Sequence, residues 1–453
     1  MSGAVVLPLA EADLTFAVAG SATVRRTVLP SGLRILTEVV PGAQSATVGF
    51  WIPAGSRDEA PEARGSTHFL EHLLFKGTAR RSALDIAIAF DEVGGEHNAV
   101  TAKEYTCYYA KVRDIDLDMA VDVLSDMIAG SVIDADEFET EREVILEELS
   151  MAADDPGDVV NERGFEAVFG AHPLGRPIGG DPGTIAEATR DGVFSHYQSQ
   201  YRPDTLIVTA AGGVDHDTLV ARVSAALSTA GWDLDVPAAP LPRRAPEAAV
   251  VGDVSPLVVV ERPIEQAHVL LAAPGMSATD RRRPTLAVLS AVLGGGMSSR
   301  LFQEIRERRG LAYSVHSFAA SFSDAGMVGM YAACAPAKAP MVARLMREQL
   351  QELAVTALSA DELRRAVGQL SGGSALALED SDVRMSRLGR AEITTGEFVD
   401  LDELLRRYAR VTADDVRDLA VELMAAPWSL TAVGPMSSDH FDEAVAMTRP
   451  AGS

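Results

Sequence analysis

The sequence predicts an α+β protein of two similar domains, each a mostly antiparallel sheet with helices packed on one face, related by duplication. Three observations lead there. VLPSGLRILTEVV (28–40) and SATVGFWIPAGSRDE (45–59) read as two strands joined by the turn PGAQ. Far downstream, PLVVVERPIEQAHVLLAAPG (256–275) repeats that plan of strand, polar break, strand and Pro-Gly. LIVTAAGGVD (206–215) and SLTAVGPM (429–436) each read as the closing strand of a unit, a short apolar run ended by Gly.

At 453 residues the chain exceeds one ordinary core. The expected division is a first domain at 22–231, a linker at 232–248 and a second domain at 249–440. The stretch at that boundary, WDLDVPAAPLPRRAPEAAV (232–250), is rich in Pro and Ala, as a linker requires. The N-terminus, MSGAVVLPLAEADLTFAVAG, lacks a basic start and carries Glu11 and Asp13 within its apolar stretch. It reads as a loose tail rather than a signal peptide. The chain has no uninterrupted apolar run of about 18 residues, so no membrane span or membrane partner is expected. Cys107 and Cys334 read as small core residues, and two thiols in so long a chain point to a reducing, cytoplasmic setting. A net charge of −25 argues against nucleic acid as a partner. It is compatible with cationic or extended polypeptides, and equally with simple solubility.

GSTHFLEHLLFKGT (65–78) carries the chemistry. On a helix at about 100° per residue, His68, Glu71 and His72 share an arc of about 100°, with Leu70, Leu73 and Leu74 opposite. Ser66 or Thr67 can supply the N-cap. Two imidazoles one turn apart can ligate a single Zn²⁺, and a Glu on the same arc is placed to take a proton from water at the ion. H-x-x-E-H is the inverzincin signature. A solvated helix face is the competing explanation, which a third ligand would remove.

EFETEREVILEELSMAADDP (137–156) reads as a Glu-rich helix. On the wheel Glu141 and Glu148 share a face with Ile145 and Ala152, while Glu139 and Glu143 point away. A carboxylate among apolar neighbours needs a partner such as a metal or a ligating His. Glu147, about 100° off that face, stays open as a one-residue-off alternative.

With these residues the chain resembles the pitrilysin/insulinase family of inverted-motif zinc peptidases. The likeness is to the two-domain branch that includes the mitochondrial processing peptidase and its bacterial relatives, and it covers residues from about 22 to 440. In that family the motif is followed, about 70–80 residues later, by a glutamate ligand on a helix, with a further glutamate two turns earlier. Glu148 and Glu141 occupy those places. The resemblance implies one Zn²⁺ per chain held by His68, His72 and Glu148, with Glu71 as the base and Glu141 as a carboxylate behind the ligands.

VGGEHNAVTAKEYTCYYAKV (93–112) pairs a Gly-Gly turn with an alternating run suited to a strand, and by itself is an ordinary hairpin. The resemblance makes Asn98, Ala99 and Thr101 part of an edge strand beside the zinc, to which an extended peptide adds by backbone hydrogen bonds. His97 has no regular spacing to the motif and reads as a surface loop residue.

VLGGGMSSRLFQEIRERRGLAYSVHSF (292–318) places a glycine loop before a helix. Met297-Ser298-Ser299 is not the Gly-Lys-Ser/Thr that a phosphate-binding loop needs. On spacing alone Arg306 and Tyr313 could be a surface Arg and a half-buried Tyr. The resemblance assigns them to the substrate, where a guanidinium and a phenol can donate to a developing oxyanion. HPLGRPIGG (172–180) also fits the family's first-half pattern, with His172 shaping a loop.

Together these residues predict a zinc-dependent endopeptidase acting on peptides or unfolded segments, with basic peptides favoured by its acidic charge. A homodimer is expected, in which Arg306 and Tyr313 of one copy complete the zinc site of the other. Two other functions fit the same residues: a noncatalytic assembly subunit of this fold, and a small-molecule metallohydrolase.

Overall fold

The computed structural model describes residues 3–245 and 253–446. It divides into two units, one of Met1–Leu149, Pro177–Arg243 and Leu376–Glu403, the other of Ser150–Arg176, Arg244–Ala375 and Leu404–Ser453.

The first unit contains strands β1 (Ala4–Val6), β2 (Asp13–Ala17), β3 (Thr23–Val28), β4 (Arg34–Val39), β5 (Ser45–Ile52), β6 (Glu96–Thr101), β7 (Thr106–Arg113) and β8 (Ile207–Gly212). Strands β2 to β8 form one sheet in the order β2-β3-β4-β8-β5-β7-β6. Only β4 and β8 run parallel. The second unit has β9 (Leu257–Glu261), β10 (Ala267–Pro274), β11 (Ala312–Ser321) and β12 (Gly326–Cys334). After β13 (Glu397–Val399), which pairs with β1 in the first unit, β14 (Ser429–Gly434) completes it. Its sheet order is β11-β12-β10-β14-β9, with β14 and β9 parallel.

The two sheets share one plan. The closing strands foreseen at 206–215 and 429–436 do not add at an edge. Each inserts between the two strands of the repeated pair, β4 and β5 in the first unit and β9 and β10 in the second, parallel to one and antiparallel to the other. That common insertion is the structural mark of duplication, and the class is α+β with two mixed sheets flanked by helices.

Strands buried on both faces need cover on both. In the first unit, one face meets helices Ser66–Leu74, Leu117–Gly130 and His216–Thr229 through the core of Val48, Phe50, Leu70, Leu124 and Val223. The opposite face, with Leu36, Trp51 and Ile207, is closed by Met385 and Leu388 of helix Ser381–Arg390. A Cβ on Gly389 would come within 2.3 Å of the Trp51 ring, so this helix can approach only as glycine there. In the second unit the helices Arg283–Gly294, Ala339–Val355 and Ala413–Ala425 cover one face. Helix Pro156–Phe169 covers the other through Val160, Val168 and Phe169 against Leu270 and Val433. Each unit thus adds, to the one-face helices its own half supplies, a helix from the other half of the sequence.

The N-terminal residues are a correction. Expected as a loose tail, they form β1 and β2, with Leu7 wholly buried and Phe16 lying 5.7 Å from Phe398. The alternation in DLTFA, with Leu14 and Phe16 on one side, is the strand signal that the acidic residues obscured. Residues 232–245 carry no helix or strand, but Ala238 and Leu241 donate backbone N–H groups to Pro30 and Asp204. Residues 246–248 of the expected linker and 249–252 of the expected second domain lie outside the described residues. No helix among the described residues is long and apolar enough to cross a membrane.

Candidate metal centre

The motif helix is Ser66–Leu74. Its start differs from expectation, since neither Ser66 nor Thr67 caps it. Gly65 does so with φ +89°, and the free N–H groups are met from outside by the buried Glu59. The Gly65 N–H lies 2.8 Å and the Thr67 N–H 2.7 Å from the two oxygens of that carboxylate. A negative charge at this end of a helix is stabilising. A Cβ on Gly65 would sit 2.5 Å from Ile185 and 2.8 Å from the Gly179 carbonyl, so the close approach of that loop demands glycine.

Phe69, Leu70, Leu73 and Leu74 turn into the core. Phe69 stacks on Phe138 with centroids 4.4 Å apart, which fixes the motif helix against the Glu-rich helix Ala135–Asp154. The polar side of the motif helix therefore faces Glu141 and Glu148. The Glu148 carboxylate lies 3.3 Å from His72 Nε2 and 3.7 Å from His68 Nε2. Two ligands each about 2 Å from a tetrahedral ion stand about 3.4 Å apart. The three donor atoms lie within 4.8 Å of one another. Two imidazole nitrogens and one carboxylate oxygen are a donor set that suits zinc. Glu148 joins both imidazoles in this group; Glu147 does not.

Behind the imidazoles, buried Glu141 receives the His72 Nδ1 at 2.9 Å and the Lys76 ammonium at 2.5 Å. With Nδ1–H donating there, His72 keeps its Nε2 lone pair for the cluster. His68 Nδ1 has no hydrogen-bond partner among the described residues. Burial holds the His68 pKa below its ordinary value, helped by the neighbouring His72 and opposed by the Glu71 and Glu148 carboxylates. Burial thereby favours the neutral imidazole, the form that metal binding requires.

Glu71 is half-buried, and the Thr101 hydroxyl donates to its carboxylate. Thr101 ends β6, the last strand of its sheet, whose outer side is unpaired among the described residues. Asn98 and Ala99 lie on the same strand. His97 corrects the sequence reading: it is a strand residue, stacked on Phe90 at 4.2 Å, and not a loop residue. It helps line an open pocket of about 310 Å³ with Phe75, Ala83, Ile86, Ala87 and Asn98.

His68, Glu71, His72, Thr101, Glu141 and Glu148 thus come together in the first unit. Arg306 and Tyr313 come together in the second. The register of β11 against β12 shifts between Ala312 and Ser314, making Tyr313 the extra residue of a bulge. A bulge re-aims a side chain, and Tyr313 is 77% exposed. The Arg306 guanidinium lies between the rings of Phe302 and Tyr313, 4.7 Å from each centroid, and donates to the Tyr313 carbonyl at 2.8 Å. The glycine loop before them serves packing: the Gln369 side chain donates to the Gly295 carbonyl, and a Cβ on Gly294 would meet the Ser317 backbone at 2.3 Å. His172 shapes its loop by accepting the Leu174 N–H at 3.2 Å.

Sequence reasoning missed Glu59 and the bond from Thr101 to Glu71. No local spacing rule marks a glutamate that caps a helix from outside its first turn.

Residues 34–182 match the model of the insulinase family, peptidase family M16, and residues 187–370 match the model of the M16 inactive domain. An uncharacterized zinc protease of Streptomyces coelicolor is 49% identical over 419 residues, 92% of this chain and 91% of its own. A protease from Helicobacter pylori superposes with a TM-score of 0.81 at 21% identity, over 91% of this chain and 99% of that one. A chain of complex III2 from Candida albicans does so with 0.78 at 18% identity, over 94% and 99%. At such identities the structural likeness is one of fold. Over nine-tenths of its length, and with its motif intact, the chain belongs to the insulinase family, peptidase family M16.

Proposed function

We propose that the chain is a zinc-dependent endopeptidase that hydrolyses peptides or unfolded polypeptide segments, with His68, His72 and Glu148 holding one zinc. The observation that carries this is the meeting of both imidazoles with the Glu148 carboxylate, while Glu71 stands on the same helix face. Zinc, when bound, supplies a Lewis acid that polarises the scissile carbonyl and makes water a nucleophile near neutral pH. Glu71 takes the proton of the attacking water and passes it to the leaving amine. Glu141 orients His72.

The unpaired side of β6 receives the substrate as an added strand at Asn98 and Ala99, which tolerates many sequences because the bonds are to backbone. The pocket beside Phe75 and His97 takes a side chain. Arg306 and Tyr313 donate to the substrate carbonyl as it gains negative charge, and their mutual packing favours a fixed geometry. In this reading residues 22–231 are the catalytic domain and 249–440 the domain that brings the substrate-contacting pair. The active form is a cytoplasmic homodimer whose second copy supplies that pair within a closed chamber, and the acidic surface favours basic peptides.

The test compares wild type with Glu71→Gln for zinc content and for cleavage of a quenched basic peptide. One zinc in both, with activity lost by about 10²–10⁴-fold only in the variant, is the expected result. The fold likeness to a complex III2 chain supports a second reading, a noncatalytic assembly subunit. Zinc binding by a wild type that cleaves no peptide would favour it. Cleavage of simple esters or amides without peptides would point to a small-molecule hydrolase.

A further inference from the structure

We infer that Thr101 is a positioning residue for Glu71, so that the strand receiving the peptide and the group moving the proton form one mechanical piece. This rests on reading Glu71 as the base.

The torsion that turns a glutamate carboxylate is broad and nearly two-fold, so the group takes one orientation only when something holds it. Among the described residues the Thr101 hydroxyl is the one hydrogen-bond donor to Glu71, and it binds a single oxygen, Oε2. The other hydroxyls near this carboxylate are engaged elsewhere. Tyr108 and Tyr201 hold each other at 2.9 Å within the core, and both feel the Glu71 charge without donating to it. Oε1 of Glu71 is thereby left for proton transfer.

Thr101 suits such a role in three ways. Its β-branched side chain is stiff, so the hydroxyl keeps one direction. Its side is buried, whereas Asn98 and Val100 on the same strand are exposed. The hydroxyl therefore points at the base and is not offered to a peptide running along the outer edge. Its backbone is anchored as well, since Thr101 pairs with Thr106 and the next residue closes the hairpin through the Ala102 N–H to the Tyr105 carbonyl. A peptide that pairs with β6 stiffens the strand carrying Thr101, and with it the orientation of Glu71. Removing the hydroxyl should then cost turnover and leave peptide affinity intact.

The experiment uses full-length Thr101→Val, which keeps the shape, and Thr101→Ser, which keeps the hydroxyl. Zinc content, kcat and KM are measured, and zinc-loaded wild type and Thr101→Val are crystallised. Equal zinc throughout is expected, with kcat about 10- to 100-fold lower in Thr101→Val at unchanged KM, and recovery to within a few-fold in Thr101→Ser. The Glu71 carboxylate should lose its single orientation in the Val variant. Adding Thr101→Val to Glu71→Gln should cost nothing further. The inference is overturned by an unchanged kcat in Thr101→Val, by a raised KM at constant kcat, or by a Glu71 that keeps its wild-type orientation without the hydroxyl. A wild type that binds zinc but cleaves no peptide sinks the peptidase reading instead, and the crystallographic comparison then still decides the role of Thr101.

Discussion

Burial and partners, not residue type, separate the glutamates of the Glu-rich helix. Glu141 is enclosed between His72 and Lys76, while the Glu148 side chain is 53% exposed and faces both imidazoles. A helical wheel could put Glu141 and Glu148 on one face, because the period of the backbone is known in advance. It could not say which touches a histidine tip and which its far nitrogen, because that depends on where the motif helix lies. The geometry leads to a prediction for Glu141→Ala. His72 loses the acceptor that fixes its tautomer, and zinc affinity should fall about 10- to 100-fold with the fold retained. Competition with a chelator measures this, and an unchanged affinity would mean that Glu141 serves only Lys76.

The motif helix shows how an element is set by its surroundings. Local chemistry nominated Ser66 or Thr67 as its cap, since side chains of that type reach the first free N–H groups. The structure uses Glu59 instead, because the loop at Gly179 and Gly180 crowds Gly65 into a left-handed turn and leaves those N–H groups facing inward. Glu59→Ala removes two charge-assisted hydrogen bonds from buried donors, and stability should drop by about 2 kcal/mol. The shift of the urea midpoint reads this directly; a change below about 0.5 kcal/mol would show that water replaces the carboxylate at no cost. Tyr313 is a second case. Its exposure comes from a bulge against β12, a register feature that no count along the chain reveals.

Across the whole molecule, histidines in both units have depressed pKa values, the buried His216 and the half-buried His97, His196 and His268 among them. Loss of hydration is the first cause for each of these four. His216, between the hydroxyls of Thr27 and Thr37 at 3.0 and 2.8 Å, is held neutral by its surroundings. These groups take up their protons at a lower pH in the fold than in the unfolded chain, where the ordinary value is 6.5. The unfolded state then binds more protons, so stability is present in full above that pH and is lost as the pH falls below it. Chelator-treated protein should show a lower denaturant midpoint at about pH 5.5 than at about pH 7.5, a window above the carboxylate range. An equal or higher midpoint at the acid pH would contradict the assignment.

The sequence by itself determined the duplicated strand plan, the HFLEH helix with its apolar and polar faces, and the two glutamates a helix must place together. These follow from periodicities of the backbone, which act within a few residues of any position. Tertiary structure alone decided that β8 and β14 insert between earlier strands, and that the helix at 381–390 closes the first sheet while that at 156–169 closes the second. It also decided that β1 and β2 are strands, that Glu59 caps the motif helix and that the Thr101 hydroxyl donates to the Glu71 carboxylate. Each of these joins groups far apart along the chain, and such contacts depend on the shape and burial of the surfaces that meet, which no local pattern carries.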